Sequence, residues 1–157
     1  MTKKSNTQIE LDEFWPYQTV VLADQISRYT LRVVRDIAGL NSSQWRVLAA
    51  VADKPGRSAA EVTSVTPMDK TIVSRAVASL IKTGMIQKSK STNDKRSSSL
   101  TTTETGLKIY KQISMVLNRT LIDSIEDKRT AANFIQLLKN YSEHVKFIDI
   151  DDNASKL

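Results

Sequence analysis

The sequence predicts a mainly α-helical chain that carries one small β-hairpin. Three observations predict it. Apolar residues recur at helical spacing through most of the chain, one stretch past the middle loses that period around a polar turn, and the helical stretches have recognisable start or stop signals. At 157 residues, the chain is long enough for one well-buried domain or for a small domain with helical extensions that need a partner to cover them, and one folding unit is expected. Only residues 1–8 and 149–157 look frayed.

The first helix is expected over residues 14–38, where Tyr17, Val20, Val21, Ile26, Tyr29, Val33, Val34 and Ile37 keep the period until Gly39 ends it. After Leu40, the Asn41-Ser42-Ser43 cluster offers N-cap oxygens. Trp45, Val47, Leu48 and Val51 then make a short second helix up to the break at Lys54-Pro55-Gly56. Ser58 and Glu61 have the spacing of a capping box, in which hydroxyl and carboxylate each satisfy an amide that has no partner inside the helix, so a third helix begins at Ser58 and ends near Val65. Thr66-Pro67 marks a turn or a new start, because proline loses no amide at the first helical position. A fourth helix follows over about 68–83 and stops at Gly84. Its inward stripe is Ile72 or Val73, Val77, Leu80 and Ile81; its outward stripe is Lys70, Thr71, Ser74, Arg75 and Ala78.

From Met85 to Thr103 the helical period is gone. Segments 85–91 and 97–103 flank the polar turn Thr92-Asn93-Asp94-Lys95-Arg96, which predicts a hairpin with a basic tip. Two further helices are expected, one over 104–125 with Leu107, Tyr110, Ile113, Leu117 and Leu121 inward, and one over about 130–147 with Phe134, Leu137, Leu138, Tyr141 and Val145 on one face.

Composition narrows the function classes. No apolar run approaches the roughly 20 residues a membrane span needs, and the start lacks the apolar stretch of a secretory signal, so a soluble, cytoplasmic protein is expected. The chain has no cysteine, which excludes disulfides, zinc fingers and thiol redox sensing. With one histidine, His144, no glycine-rich phosphate loop and no metal-ligand spacing, neither an enzyme nor a cofactor is expected. Asp149, Asp151 and Asp152 lack the glycine turn and final Glu of a calcium loop and read as a solvated tail. The net charge of +6 is localised: residues 54–96 hold nine basic and three acidic side chains, which leaves fourteen of each elsewhere. On its own this fits either a solubilising face or a footprint for a polyanion.

Two short helices joined by a tight turn, the second with hydroxyls and bases outward, followed by a basic hairpin, make a winged helix-turn-helix pattern over residues 40–106. The runs Ser58-Ala-Ala-Glu-Val, Met68-Asp-Lys-Thr-Ile-Val-Ser-Arg-Ala-Val, Leu80-Ile-Lys-Thr-Gly84, Asn93-Asp-Lys-Arg-Ser97 and Thr103-Glu-Thr-Gly106 resemble the MarR family of transcription regulators. The resemblance implies one MarR-like unit over 1–157, with dimerisation helices at 9–39 and 107–148. It also implies a homodimer on near-palindromic double-stranded DNA and, by family habit, repression. Lys70, Thr71, Ser74 and Arg75 would then read the major groove, and Asp94, Lys95 and Arg96 would form the wing tip, with the acid steadying an arginine in the minor groove. Without the resemblance, Arg75 could as well brace the domain and Asp-Lys-Arg be a solvated turn. Thr102 departs from the family pattern, standing where the second wing strand usually has an apolar residue.

The resemblance further implies a small effector, often an aromatic acid, with Trp15, Tyr17, Tyr29, Trp45 and Arg46 as candidates for stacking and carboxylate pairing. The residues alone favour a plainer account, with the aromatics in the core and Arg46 paired to a protein acid. The competing function is a winged helix for protein interaction or RNA binding. That use would put apolar residues on the outward stripe of the fourth helix or aromatic residues on the wing.

Overall fold

The computed structural model describes residues 9–90, 98–123 and 127–146. In chain order these form α1 (Trp15–Ala38), α2 (Ser42–Asp53), α3 (Ala59–Val65), α4 (Lys70–Lys82), β1 (Ile86–Lys90), β2 (Ser98–Thr102), α5 (Glu104–Leu117), a π-helical turn (Asn118–Ile122) and α6 (Lys128–Lys146). The expected class, mainly α with a hairpin wing, is the one observed. No helix among the described residues is long and apolar enough to cross a membrane. The chain divides into two compact units, Met1–Val116 and Leu117–Leu157.

Local rules set most boundaries in the first unit. α1 stops at Gly39, whose φ of 65° is the left-handed conformation glycine tolerates, with its N–H donating to the Arg35 carbonyl at 2.8 Å. α2 is capped by Asn41, whose side chain accepts the Gln44 amide while Gln44 accepts the Asn41 N–H. α3 starts on the Ser58–Glu61 box: the Ser58 N–H donates to Glu61 Oε2 at 2.7 Å, and the Glu61 N–H to Ser58 Oγ at 3.2 Å. α4 begins two residues later than its apolar pattern suggests. Asp69 is the cap, accepting the Ile72 N–H at 2.8 Å, and Met68 is buried ahead of the helix.

The core of this unit gathers Val34 from the end of α1, Val47, Leu48 and Val51 from α2, Val62 from α3, Val73 and Leu80 from α4, Ile86 and Leu100 from the hairpin and Ile113 from α5. Ile81 and Leu107, expected inside, are more than a third exposed. Val73, Ala76, Val77 and Leu80 fill the buried arc of α4, and at 3.6 residues per turn Ile72 and Ile81 fall on its two margins.

The hairpin is antiparallel, with Ile86 opposite Thr102, Lys88 opposite Leu100 and Lys90 opposite Ser98. Thr102 therefore sits across from a buried isoleucine and is itself half-buried. The other edge of β2 is bound to the loop after α2: Gly56 N–H donates to the Leu100 carbonyl at 2.8 Å, and Leu100 N–H to the Arg57 carbonyl at 2.9 Å. Arg57 in turn donates to the Ala50 carbonyl and pairs with Asp53 at 2.8 Å, closing the end of α2.

α5 gives way to the π-helical turn at Asn118, short of the expected end near 125. In the second unit α6 starts earlier than expected because Asp127 caps it, accepting the Arg129 N–H at 2.9 Å and the Thr130 hydroxyl at 2.6 Å. These bonds, the Thr130 hydroxyl foremost, hold the Asp127 carboxyl below its ordinary range. Phe134, Ile135, Leu137, Leu138, Tyr141 and Val145 are exposed along α6.

Candidate nucleic-acid interface

The outward face of α4 is a consequence of its inward one. Because Val73, Ala76, Val77 and Leu80 are buried, Lys70, Thr71, Ser74, Arg75 and Ala78 are turned to solvent, and all five are exposed. The face carries two cations and two hydroxyls around a small Ala78, the mix of donors and low relief that an edge-reading surface needs. Ile72 also reaches this surface, which the apolar period alone hid. It borders a groove of about 240 Å³ between the start of α2 and α4, whose lining includes Ser43, Gln44, Arg75 and Ser79. Across that groove Gln44 Nε2 donates to Ser79 Oγ at 2.7 Å.

Two of the acids in the basic segment have capping roles. Of the three acids in the basic segment, Glu61 is folded back onto the first turn of α3 and Asp69 onto that of α4. Each carboxylate there faces the partial positive charge of a helix N-terminus. The Ser58 backbone N–H, then its hydroxyl, hold the Glu61 carboxyl below its ordinary range. On the wing, Lys88 is exposed on β1, and Ser89 and Ser99 hydrogen-bond across the strands at 2.7 Å. Asp94, Lys95 and Arg96, the expected tip, lie outside the described residues.

The wing's base is pinned by Thr103. Its N–H donates to the Met85 carbonyl at 3.1 Å, its hydroxyl to the Gly84 carbonyl at 2.6 Å, and its oxygen accepts the Gly106 N–H at 3.0 Å, which caps α5. A side chain at Gly106 would run into the backbone of Met85, so only glycine fits this approach.

Residues 38–97 match the sequence profile of the MarR family. The chain has the winged helix-turn-helix fold of MarR-family regulators. Solved structures with this fold include a MarR/EmrR family transcriptional regulator from Acinetobacter sp. ADP1, 22% identical, with 88% of this chain and 99% of that one covered at a TM-score of 0.75. A mutant MarR from E. coli complexed with operator DNA is 18% identical over 85% and 99% of the two chains, TM-score 0.67. The transcriptional repressor CouR bound to a 23-mer DNA duplex is 18% identical over 88% and 99%, TM-score 0.69. A comparison with curated proteins by sequence gives no match. In MarR terms α3 and α4 are the helix-turn-helix and β1–β2 the wing.

The five effector candidates separate. Trp45 and Arg46 line an open cleft of about 360 Å³ with Ala49, Arg57, Val65 and Pro67, at the turn leading into α4. Trp45 also stacks on Tyr110 of α5, ring centres 5.8 Å apart and planes 22° off parallel. Trp15 and Tyr17 are exposed in the first turn of α1, and half-buried Tyr29 has the Arg32 guanidinium 5.8 Å from its ring centre. These three do not line the cleft.

Proposed function

We propose that this protein is a sequence-specific regulator that binds double-stranded DNA as a homodimer, with α4 in the major groove and the wing tip in the minor groove. The observation that carries the reading is the exposed face of α4, where Lys70, Thr71, Ser74 and Arg75 stand free of the core on a MarR-type scaffold. Arg75 and the hydroxyls reach base edges and neighbouring phosphates; Lys70 contacts the backbone. Arg96 is assigned to the minor groove, with Asp94 steadying it and Lys95 beside it at the wing tip. That E. coli MarR and CouR, which share the fold, were solved on DNA supports the assignment.

The dimer reading is supported by apolar surface that a single chain leaves open. α1 exposes Trp15, Tyr17, Val20, Leu22 and Ile26, and α6 exposes six large apolar residues of its own. We assign residues 9–39 and 107–148 to dimerisation and the operator to a near-palindrome whose half-sites lie about 34 Å apart. Repression relieved by a small anion, of the aromatic-acid type, completes the reading. The Trp45–Arg46 cleft adjoins Thr66-Pro67, so a ligand that prefers one placement of α4 shifts the population toward it.

The test is selection from a random duplex library by the purified protein, followed by affinity against salt on the winning sequence. A near-palindrome with a steep negative salt slope is expected. No enrichment, with weak binding that vanishes at physiological salt, would transfer the α4 face to a protein or RNA partner.

A further inference from the structure

We propose that Gln44 is a positioning residue for sequence reading, setting the register of α4 against α2 through Ser79; this rests on the DNA reading above. Gln44 uses both ends of its side-chain amide. Its Oε1 accepts the Asn41 N–H at 2.8 Å, completing the cap of α2, and its Nε2 donates to Ser79 Oγ at 2.7 Å. The capping bond fixes the side chain at the start of α2, so the second bond ties a defined point of that helix to a defined point of α4.

That point is one helical turn beyond Arg75, on the side of α4 that faces the groove. Elsewhere the buried residues of the two helices are apolar: Val47, Leu48, Ala50 and Val51 on α2, with Val73, Ala76, Val77 and Leu80 on α4. The attraction in such packing has no direction of its own, so steric fit alone limits rolling or sliding there, and the Gln44–Ser79 bond adds a directional restraint on the last few degrees. Side chains reach about 5–6 Å from a helix axis, so a roll of about 10° moves a tip by about 1 Å. Base-edge hydrogen bonds are made only over 2.7–3.2 Å, roughly, and do not survive that shift. Contacts to phosphates from long, flexible side chains do survive it. Loss of the bond is therefore felt in sequence preference before it is felt in total affinity.

Ser79→Ala is the decisive variant, because it leaves the Asn41–Gln44 cap intact and puts the best helix former into α4. Wild type, Ser79→Ala, Gln44→Met and the double variant are each put through selection from the same random duplex library. Each is then titrated with the wild type's best duplex and with a scrambled duplex of equal composition. In Ser79→Ala, preference for the best duplex is expected to fall roughly threefold to tenfold, the scale of one neutral side-chain hydrogen bond, with affinity for the scrambled duplex unchanged. The double variant is expected to lose no more preference than the worse single variant, since both changes remove the same bond. An unchanged preference in Ser79→Ala, an equal loss on both duplexes, or additive losses in the double variant would each overturn the positioning role while leaving DNA recognition in place. A wild type that enriches no sequence would overturn the DNA reading and this inference with it.

Discussion

Gly106→Ala separates tertiary packing from helix propensity, because the two act with opposite sign. Gly106 is in the first turn of α5, where alanine is intrinsically better by about 0.8–1 kcal/mol. The added methyl, however, would overlap the carbonyl carbon and oxygen of Met85, backbone atoms that cannot rotate away. Relief requires α5 and Met85 to move apart, and three hydrogen bonds span that junction: Thr103 N–H to Met85, Thr103 hydroxyl to Gly84, and Gly106 N–H to Thr103 Oγ1. Losing two of them costs about 2 kcal/mol and the residual overpacking about 1–3 kcal/mol, so the propensity gain is outweighed and a net loss of about 2–4 kcal/mol is expected. Urea unfolding followed by circular dichroism measures it as a lower midpoint at unchanged slope. A variant more stable than wild type would show that the junction opens freely, and the account of how the wing is anchored would be wrong.

Arg75→Ala should weaken binding to the selected duplex and relax preference at one base position by about 1–3 kcal/mol, read by titrating single-base variants of that duplex. Arg96→Ala should instead weaken binding to most sequences and flatten the salt slope by about one unit; equal salt slopes for variant and wild type would remove Arg96 from the phosphate contacts. Glu61 gives a pH prediction. Folding lowers its pKa from the ordinary 4.5 through the Ser58 bonds, so its contribution is complete above that value and is lost as the pH falls through the folded one. The melting-temperature gap between wild type and Glu61→Ala should be widest near neutrality and close on acidification, and a gap that widened in acid would contradict the capping role.

The features legible in the sequence are those that local rules govern. Gly39 ends α1 and Ser58 with Glu61 starts α3 because a stop or a capping box needs only a few consecutive residues. The outward stripe of α4 followed from the 3.6-residue period. The start of that helix was harder to place, because Pro67 and Asp69 are both good starters two residues apart and only the buried Met68 decides between them. Bonds across long separations left no trace. The Gly56 and Arg57 backbone brackets Leu100 from the far edge of β2 without any side-chain signature, and Gln44 finds Ser79 thirty-five residues away. The effector candidates scattered for the same reason: the aromatic period of α1 does not say whether its residues meet the cleft beside α2, and Trp15, Tyr17 and Tyr29 do not line it.

Asp69→Asn tests whether the acids of the basic segment serve α4 as caps or take part in reading DNA. Asparagine caps as well as aspartate, so the bond to the Ile72 N–H is retained and stability should fall by no more than the roughly 0.3–1 kcal/mol of the charge's interaction with the helix terminus. One negative charge at the N-terminus of α4 is removed. A unit charge roughly 8 Å from a phosphate in water interacts with it by about 0.5 kcal/mol, so binding should tighten about twofold at low salt. The gain should be the same on selected and scrambled duplexes, because a charge acting through solvent does not distinguish bases. It should also fade near physiological salt, where the screening length is about 8 Å. If the variant instead binds the selected duplex less well while its affinity for the scrambled one rises, Asp69 accepts a hydrogen bond from a base, most simply a cytosine amino group. The cap would then be its role only in the free protein, and α4 would read with its first residues as well as with the Thr71–Arg75 face.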